Sequence, residues 1–217
     1  MAGTIMSIPS LPPEILDYII DLLCHDRETL KECCLVSRSW VPHARSNLFA
    51  KIKFRSVDDF KSWKRHFPEI VTSPASHTRT LSIDCLGICA EGESCWIQAF
   101  SSVESLNLHN GSRPLDTSRC PLTPFHGFSS TLKSFRMDPI ILPSPQLFHL
   151  IRSSPLLEDL TVVGRDGSLS DDNSLPRLPS GVPSISPPLS GSLDLTILRG
   201  MGNTVRQLLD LPNGLHF

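Results

Sequence analysis

The sequence predicts an α/β chain in two parts: three short helices over residues 10–50 and, beyond residue 76, an irregular array of strands alternating with return segments. Three observations predict it. Apolar residues of the first part recur at the three- and four-residue spacing of helices. Strings of the form Leu-x-x-Leu-x-Leu recur in the second part. The 217 residues are 40% hydrophobic and 19% charged with 19 prolines, which excludes a wholly disordered chain, a coiled coil and a collagen.

Ser10-Leu11-Pro12-Pro13-Glu14 has the form of a helix start. Proline is tolerated in a first turn, where its missing N–H costs nothing, and Glu14 lies near the positive end of the helix dipole. Ile15, Leu16, Ile19, Leu22 and Leu23 then give one broad apolar side, with Glu14, Asp17 and Asp21 on the other. His25 and Asp26 end this helix, and Asp26 can cap a second one over Arg27–Val36, whose apolar positions are Leu30, Cys33, Cys34 and Leu35. Ser37 or Ser39 can cap a third helix. Pro42 fits only a first turn, so this helix must begin near Ser37–Trp40, and it carries Trp40, Val41, Ala44, Leu48 and Phe49. Ile52-Lys53-Phe54 alternates like a short strand. Three helices in about 40 residues cannot easily close a core, and domains of that size usually need a metal, disulfides or a partner. Residues 10–50 hold no such staple, so exposed Leu11, Pro12, Ile15 and Leu16 are expected to form a docking patch.

Leu11-Pro12-Pro13-Glu14-Ile15-Leu16, then Leu35-Val36-Ser37-Arg38-Ser39-Trp40, then Leu48-Phe49 with Ile52 following, together resemble an F-box over residues 8–54. The resemblance implies an adaptor that binds a Skp-family protein, and through it a cullin scaffold, while the remainder of the chain recruits a protein substrate for ubiquitin transfer. By position, it implies that Leu11, Pro12, Ile15, Leu16, Ile19 and Leu35 contact or support the bridging protein and that Trp40 packs within or beside that interface. The competing reading is a three-helix cap on the following domain, with the same residues in its core.

From residue 76 to 217 the recurring strings are Val103–Leu108, Leu132–Met137 and Leu157–Val162, with weaker copies at Thr78–Ile83 and Ser192–Ile197. Central apolar positions at Leu81, Leu106, Phe135, Leu160 and Leu195 step by 25, 29, 25 and 35 residues. The first three steps fall in or near the period of leucine-rich repeats, which this region resembles in a degenerate form that commonly follows an F-box. Alternating apolar residues face one side of a short strand, and one such strand with its return segment cannot bury itself, so neighbours must stack. Trp96–Phe100 and Pro145–Arg152 look helical, the latter with proline at its start and Pro155 beyond its end. An ordinary α/β domain with parallel strands is the alternative. Residues 164–192, rich in Ser, Pro, Asp and Gly, predict a flexible insertion that cannot recover the entropy of ordering. Beyond it, Leu193–Leu198 predicts a strand, Thr204–Leu211 a helix, and Leu215–Phe217 the opening of another strand, which suggests an array that continues past Phe217.

Twenty basic residues against 22 acidic ones leave a net charge of −2, with no basic face for nucleic acid and no polybasic membrane anchor. No apolar run approaches a membrane span, and no secretory leader is legible, so an intracellular location with reduced thiols is expected. The seven cysteines do not match a zinc-knuckle spacing, and neither phosphate-cradling loops nor nucleophile or zinc-protease motifs occur. No catalytic residue, cofactor or metal ligand is therefore expected. The sequence favours a substrate-recruiting adaptor of a cullin-based ubiquitin ligase; the alternative is a repeat-based interaction scaffold with no ligase link. Outward strand positions Ser82, Asn107, Arg136 and Thr161, with Asp84 and His109, are the expected substrate-facing residues.

Overall fold

The computed structural model describes residues 12–84, 94–109, 122–142, 145–166 and 193–198. The chain divides into two compact units after Ala50.

The first unit holds α1 (Pro13–Leu22), α2 (Arg27–Val36) and α3 (Val41–Phe49). Prolines stand in the first turns of α1 and α3, as their fixed φ requires. Asp26 caps α2, its carboxylate accepting from the amides of Glu28 and Thr29 at 3.1 Å and from the Thr29 hydroxyl at 2.7 Å. Those donors, the Thr29 hydroxyl foremost, hold the carboxyl below the usual carboxylate range. Neither serine caps α3: Trp40 occupies that position without a side-chain bond, while the Ser37 hydroxyl receives the Ser39 amide within the preceding turn. The buried centre is Ile20, Leu30, Cys33 and Ala44, with Leu23, Cys34, Trp40 and Leu48 packed against it.

The second unit is built on a six-stranded parallel sheet of β1 (Lys51–Phe54), β2 (Thr80–Ile83), β3 (Ser105–His109), β4 (Ser134–Leu142), β5 (Asp159–Asp166) and β6 (Leu193–Leu198). The strands lie side by side in chain order. A doubly wound sheet reverses its order at a switch point; this one has no reversal, so each strand is laid against its predecessor. The chain is therefore α/β, combining helices with a parallel sheet.

Register explains the recurring strings. Ile52, Leu81, Leu106, Phe135 and Leu160 face one another in one row, and Phe54, Ile83, Leu108, Met137 and Val162 in the next. All ten are buried. The first apolar residue of each string, Val103, Leu132 or Leu157, is buried three positions before the first row, and Thr78 holds that place in the weakest copy. Return segments cover this face: Phe54 meets Phe60 of α4 (Val57–His66) with ring centroids 5.2 Å apart, and Ile97 of α5 (Ser94–Gln98), Phe125 and Phe128 of the 3-10 turn Thr123–Phe128, and Leu147, Leu150 and Ile151 of α6 (Pro145–Arg152) are all buried.

Between strands, one carbonyl of each level accepts two successive amides of the next. Arg79 O receives Glu104 N and Ser105 N, Glu104 O receives Lys133 N and Ser134 N, and Lys133 O receives Glu158 N and Asp159 N, all at 2.7–2.9 Å. This shared acceptor fixes where each strand begins, so the levels repeat despite irregular return segments.

Three expectations are corrected, and one helix is added. Ile52–Phe54 belongs to the sheet unit, because β1 pairs with β2 along its whole length. Leu160 faces Leu193, so the last step is 33 residues and Leu195 stands opposite Val162. Gly164–Asp166 extends β5 against Ile140–Leu142 and does not open the insertion; the rest of 164–192 lies outside the described residues. The helix α4 is absent from the sequence reading, although Ser56 caps it, Asp58 and Asp59 open it, and Lys64, Arg65 and His66 close it, all in agreement with the helix dipole. Pro139 interrupts β4, where the register shifts by one residue between Met137 and Ile140, because proline has no amide to give the ladder. The predicted helix Thr204–Leu211 and strand Leu215–Phe217 lie outside the described residues.

Candidate functional site

The first helix carries apolar residues on nearly every side, and the structure separates them into two stripes. Leu16, Ile20 and Leu23 follow helical spacing: Ile20, 1% exposed, lies in the small core, Leu23 packs against it, and Leu16 is half-buried. Ile15, Tyr18, Ile19 and Leu22 form a second stripe at the same spacing and are exposed by 47%, 62%, 38% and 65%. Apolar spacing alone puts Ile15, Leu16, Ile19, Leu22 and Leu23 on one side and leaves out Ile20, because five apolar residues already satisfy a single face.

A polar seam fixes which stripe turns inward. Asp21 of α1 accepts from Asn47 Nδ2 at 2.8 Å and meets His43 Nε2 at 2.7 Å, while His43 Nδ1 lies 3.7 Å from Asp17. Both His43 and Asn47 stand on α3, so α1 is held in rotation by charged and polar groups beside the core. Turning the outer stripe inward would break these contacts.

Of the residues expected to meet a partner, Pro12, Ile15 and Ile19 are exposed, and Leu16 is half-buried. Pro12 opens α1, its carbonyl accepting from the amides of Ile15 and Leu16 at 3.0 and 3.2 Å. Leu35 stands at the end of α2 and is 87% exposed, with Val36 beside it also exposed. Trp40 packs against Ile20, Leu30, Cys33 and Ala44 as part of the unit's own interior. Leu11 lies outside the described residues. Tyr18 and Leu22 were not among the expected contacts; their offsets of three and seven residues from Ile15 are the signal that finds them.

The sheet unit offers a different surface. Opposite the buried rows, Lys53, Ser82, Asn107, Arg136 and Thr161 share one register. Lys53 pairs with Asp84 at 2.8 Å, Asn107 donates to Ser82 Oγ at 3.4 Å, and His109 stands opposite Asp138. Positive and negative groups alternate here without a net sign, so this face suits a mixed polar partner and no single charged ligand. No group of three or more His, Cys, Asp or Glu side chains that could hold a metal occurs among the described residues, and no helix among them is long and apolar enough to cross a membrane.

Comparison with known proteins finds no matching family model, no matching curated protein and no matching solved structure.

Proposed function

We propose that the chain is a substrate-recruiting adaptor of a cullin-based ubiquitin ligase, in which the helical trio acts as an F-box that docks a Skp-family protein and the strand array, a degenerate leucine-rich repeat, holds a protein substrate. One observation carries this reading: α1 leaves Ile15, Tyr18, Ile19 and Leu22 in water while Ile20 is buried and Leu16 and Leu23 are half-buried. Large apolar side chains grouped on one exposed stripe mark a surface that a partner covers. The work of such an adaptor is proximity. It holds two partners in one assembly and raises the effective concentration of substrate beside the transfer machinery.

The test is titration of the full chain with a purified Skp-family protein, by calorimetry and gel filtration. Wild type is expected to form a one-to-one complex. Pro12→Ala plus Ile15→Ala, both at exposed positions, is expected to weaken it at least about tenfold with an unchanged circular dichroism spectrum, since buried apolar anchors dominate such interfaces. Absence of a complex with wild type, or equal affinity of the double variant, overturns the reading. The second reading, an interaction scaffold with no ligase link, draws support from the core that the trio does build around Ile20, Leu30, Cys33 and Ala44. It predicts no complex in the same titration.

A further inference from the structure

Two histidines far apart in sequence meet on the return-segment side of the array. His126 belongs to the 3-10 turn Thr123–Phe128, and His149 belongs to α6. Each is placed by buried neighbours: Phe125 and Phe128 anchor the turn, while Leu147, Leu150 and Ile151 anchor the helix. The two Nδ1 atoms lie 3.3 Å apart, with ring centroids at 4.5 Å and ring planes at 79°. Ser153 Oγ lies 3.4 Å from His126 Nδ1 while donating to Leu150 O at 3.0 Å.

Those contacts place the hydrogens. A hydroxyl whose single hydrogen goes to a carbonyl can only accept at its other contact. His126 Nδ1 therefore carries an N–H, directed at Ser153 Oγ and at the lone pair of His149 Nδ1. His149 keeps its own hydrogen on Nε2, on a ring exposed to water. One added proton leaves a lone pair between the rings, and the bond survives. When both rings are charged, each Nδ1 carries a hydrogen and repulsion replaces the bond. The surroundings offer no relief. The helices packed against the turn are α5 and α6, and neither contains a carboxylate. α6 adds the cation Arg152 three residues beyond His149, while Trp96, Ile97 and Gln98 of α5 are uncharged. Burial, and then His149, already push His126 below the ordinary histidine value.

We propose that His126 and His149 form an acid-opened latch, which ties the turn before β4 to α6 before β5 until both rings are charged. The closed pair binds fewer protons than the open one. Closure is therefore favoured above the ordinary histidine range and lost as pH falls through it. Neither ring belongs to the buried rows of the sheet, so the release is local to the two return segments.

The experiment follows the full chain from about pH 7.5 to about pH 5, across the range where histidine titrates. Heteronuclear NMR of the imidazole nitrogens reports where each hydrogen sits. Amide hydrogen exchange, corrected for its intrinsic pH dependence, reports opening of Thr123–Phe128 and Pro145–Arg152. At the upper pH, His126 is expected to hold its hydrogen on Nδ1 and His149 on Nε2. On acidification, wild type is expected to lose protection at least about tenfold in both segments while β3 and β4 keep theirs. In His149→Gln, which puts a neutral side chain at an exposed position, protection is expected to stay level with pH. Equal loss in His149→Gln overturns the latch, as does wild-type protection that holds throughout or falls in every strand together. Hydrogens on Nε2 of both rings at the upper pH also overturn it, since no bond then joins the two Nδ1 atoms.

Discussion

In the helical unit, burial is concentrated in Ile20, Leu30, Cys33 and Ala44, and much of α1 and the end of α2 faces water. In the sheet unit, each of the first five strands adds two buried side chains to rows that its neighbours continue. Both units are made of short elements that could not stand alone. The array resolves this by repetition, since each level covers the one before it. The trio has no next level, and its outer apolar stripe stays uncovered. A stacked fold covers each level with the next, whereas the three-helix unit leaves Ile15, Tyr18, Ile19 and Leu22 exposed.

This contrast can be broken by substitution. The largest effect is expected for Phe135→Ala, at the middle of a buried row, which should cost about 3–5 kcal/mol in urea unfolding through the cavity it leaves. A cost below about 1 kcal/mol there means the row does not hold the array together. Leu30→Ala should cost about 2–5 kcal/mol of the helical unit's stability. Helical circular dichroism should fall while hydrogen exchange of β3 and β4 amides stays slow; loss of both together would mean that the units do not hold themselves separately. Smaller is the ion pair between Lys133 and Glu104, 3.0 Å apart at the sheet's entry edge and half exposed on both sides. A double-mutant cycle should give about 0.2–1 kcal/mol, declining with salt. The slightest effect is a pH dependence in the array. The native His126 ring resists protonation because of burial and then His149, so the unfolded chain binds more protons below the ordinary value of about 6.5. Stability should therefore fall as pH is lowered through that value, and His126→Asn should flatten the slope. An equal slope in the variant removes His126 as the cause.

Local signals carried much of this fold. The limits of α2 (Arg27–Val36), α6 (Pro145–Arg152) and β6 (Leu193–Leu198) follow from the sequence, because a cap, a proline or an alternating run acts over a few residues. The Leu-x-x-Leu-x-Leu strings marked the strands from β2 to β5 for the same reason. Where the reading missed, the deciding interaction was distant. Ile52–Phe54 reads as the tail of the helical part, but β2, each residue 29 positions after its partner, pairs with it. Gly164–Asp166 looked like the start of a loop until Ile140–Leu142 supplied a ladder. α4 is the exception: all its end signals were local, and only its single fully buried residue, Phe60, hid it from an apolar-periodicity reading.

The candidate surfaces divide in the same way. The sequence by itself determined that α1 is a helix with one broad apolar side, since proline placement and apolar spacing act within a few residues. Tertiary structure decided which stripe turns inward, because the bonds of Asp21 to His43 and Asn47 join positions 22 and 26 residues apart. It likewise decided that His126 and His149 meet, since neither lies near the other in the chain and only stacked return segments bring their rings together. Short-range chemistry writes the elements; the choice of which faces touch belongs to contacts that no local pattern encodes.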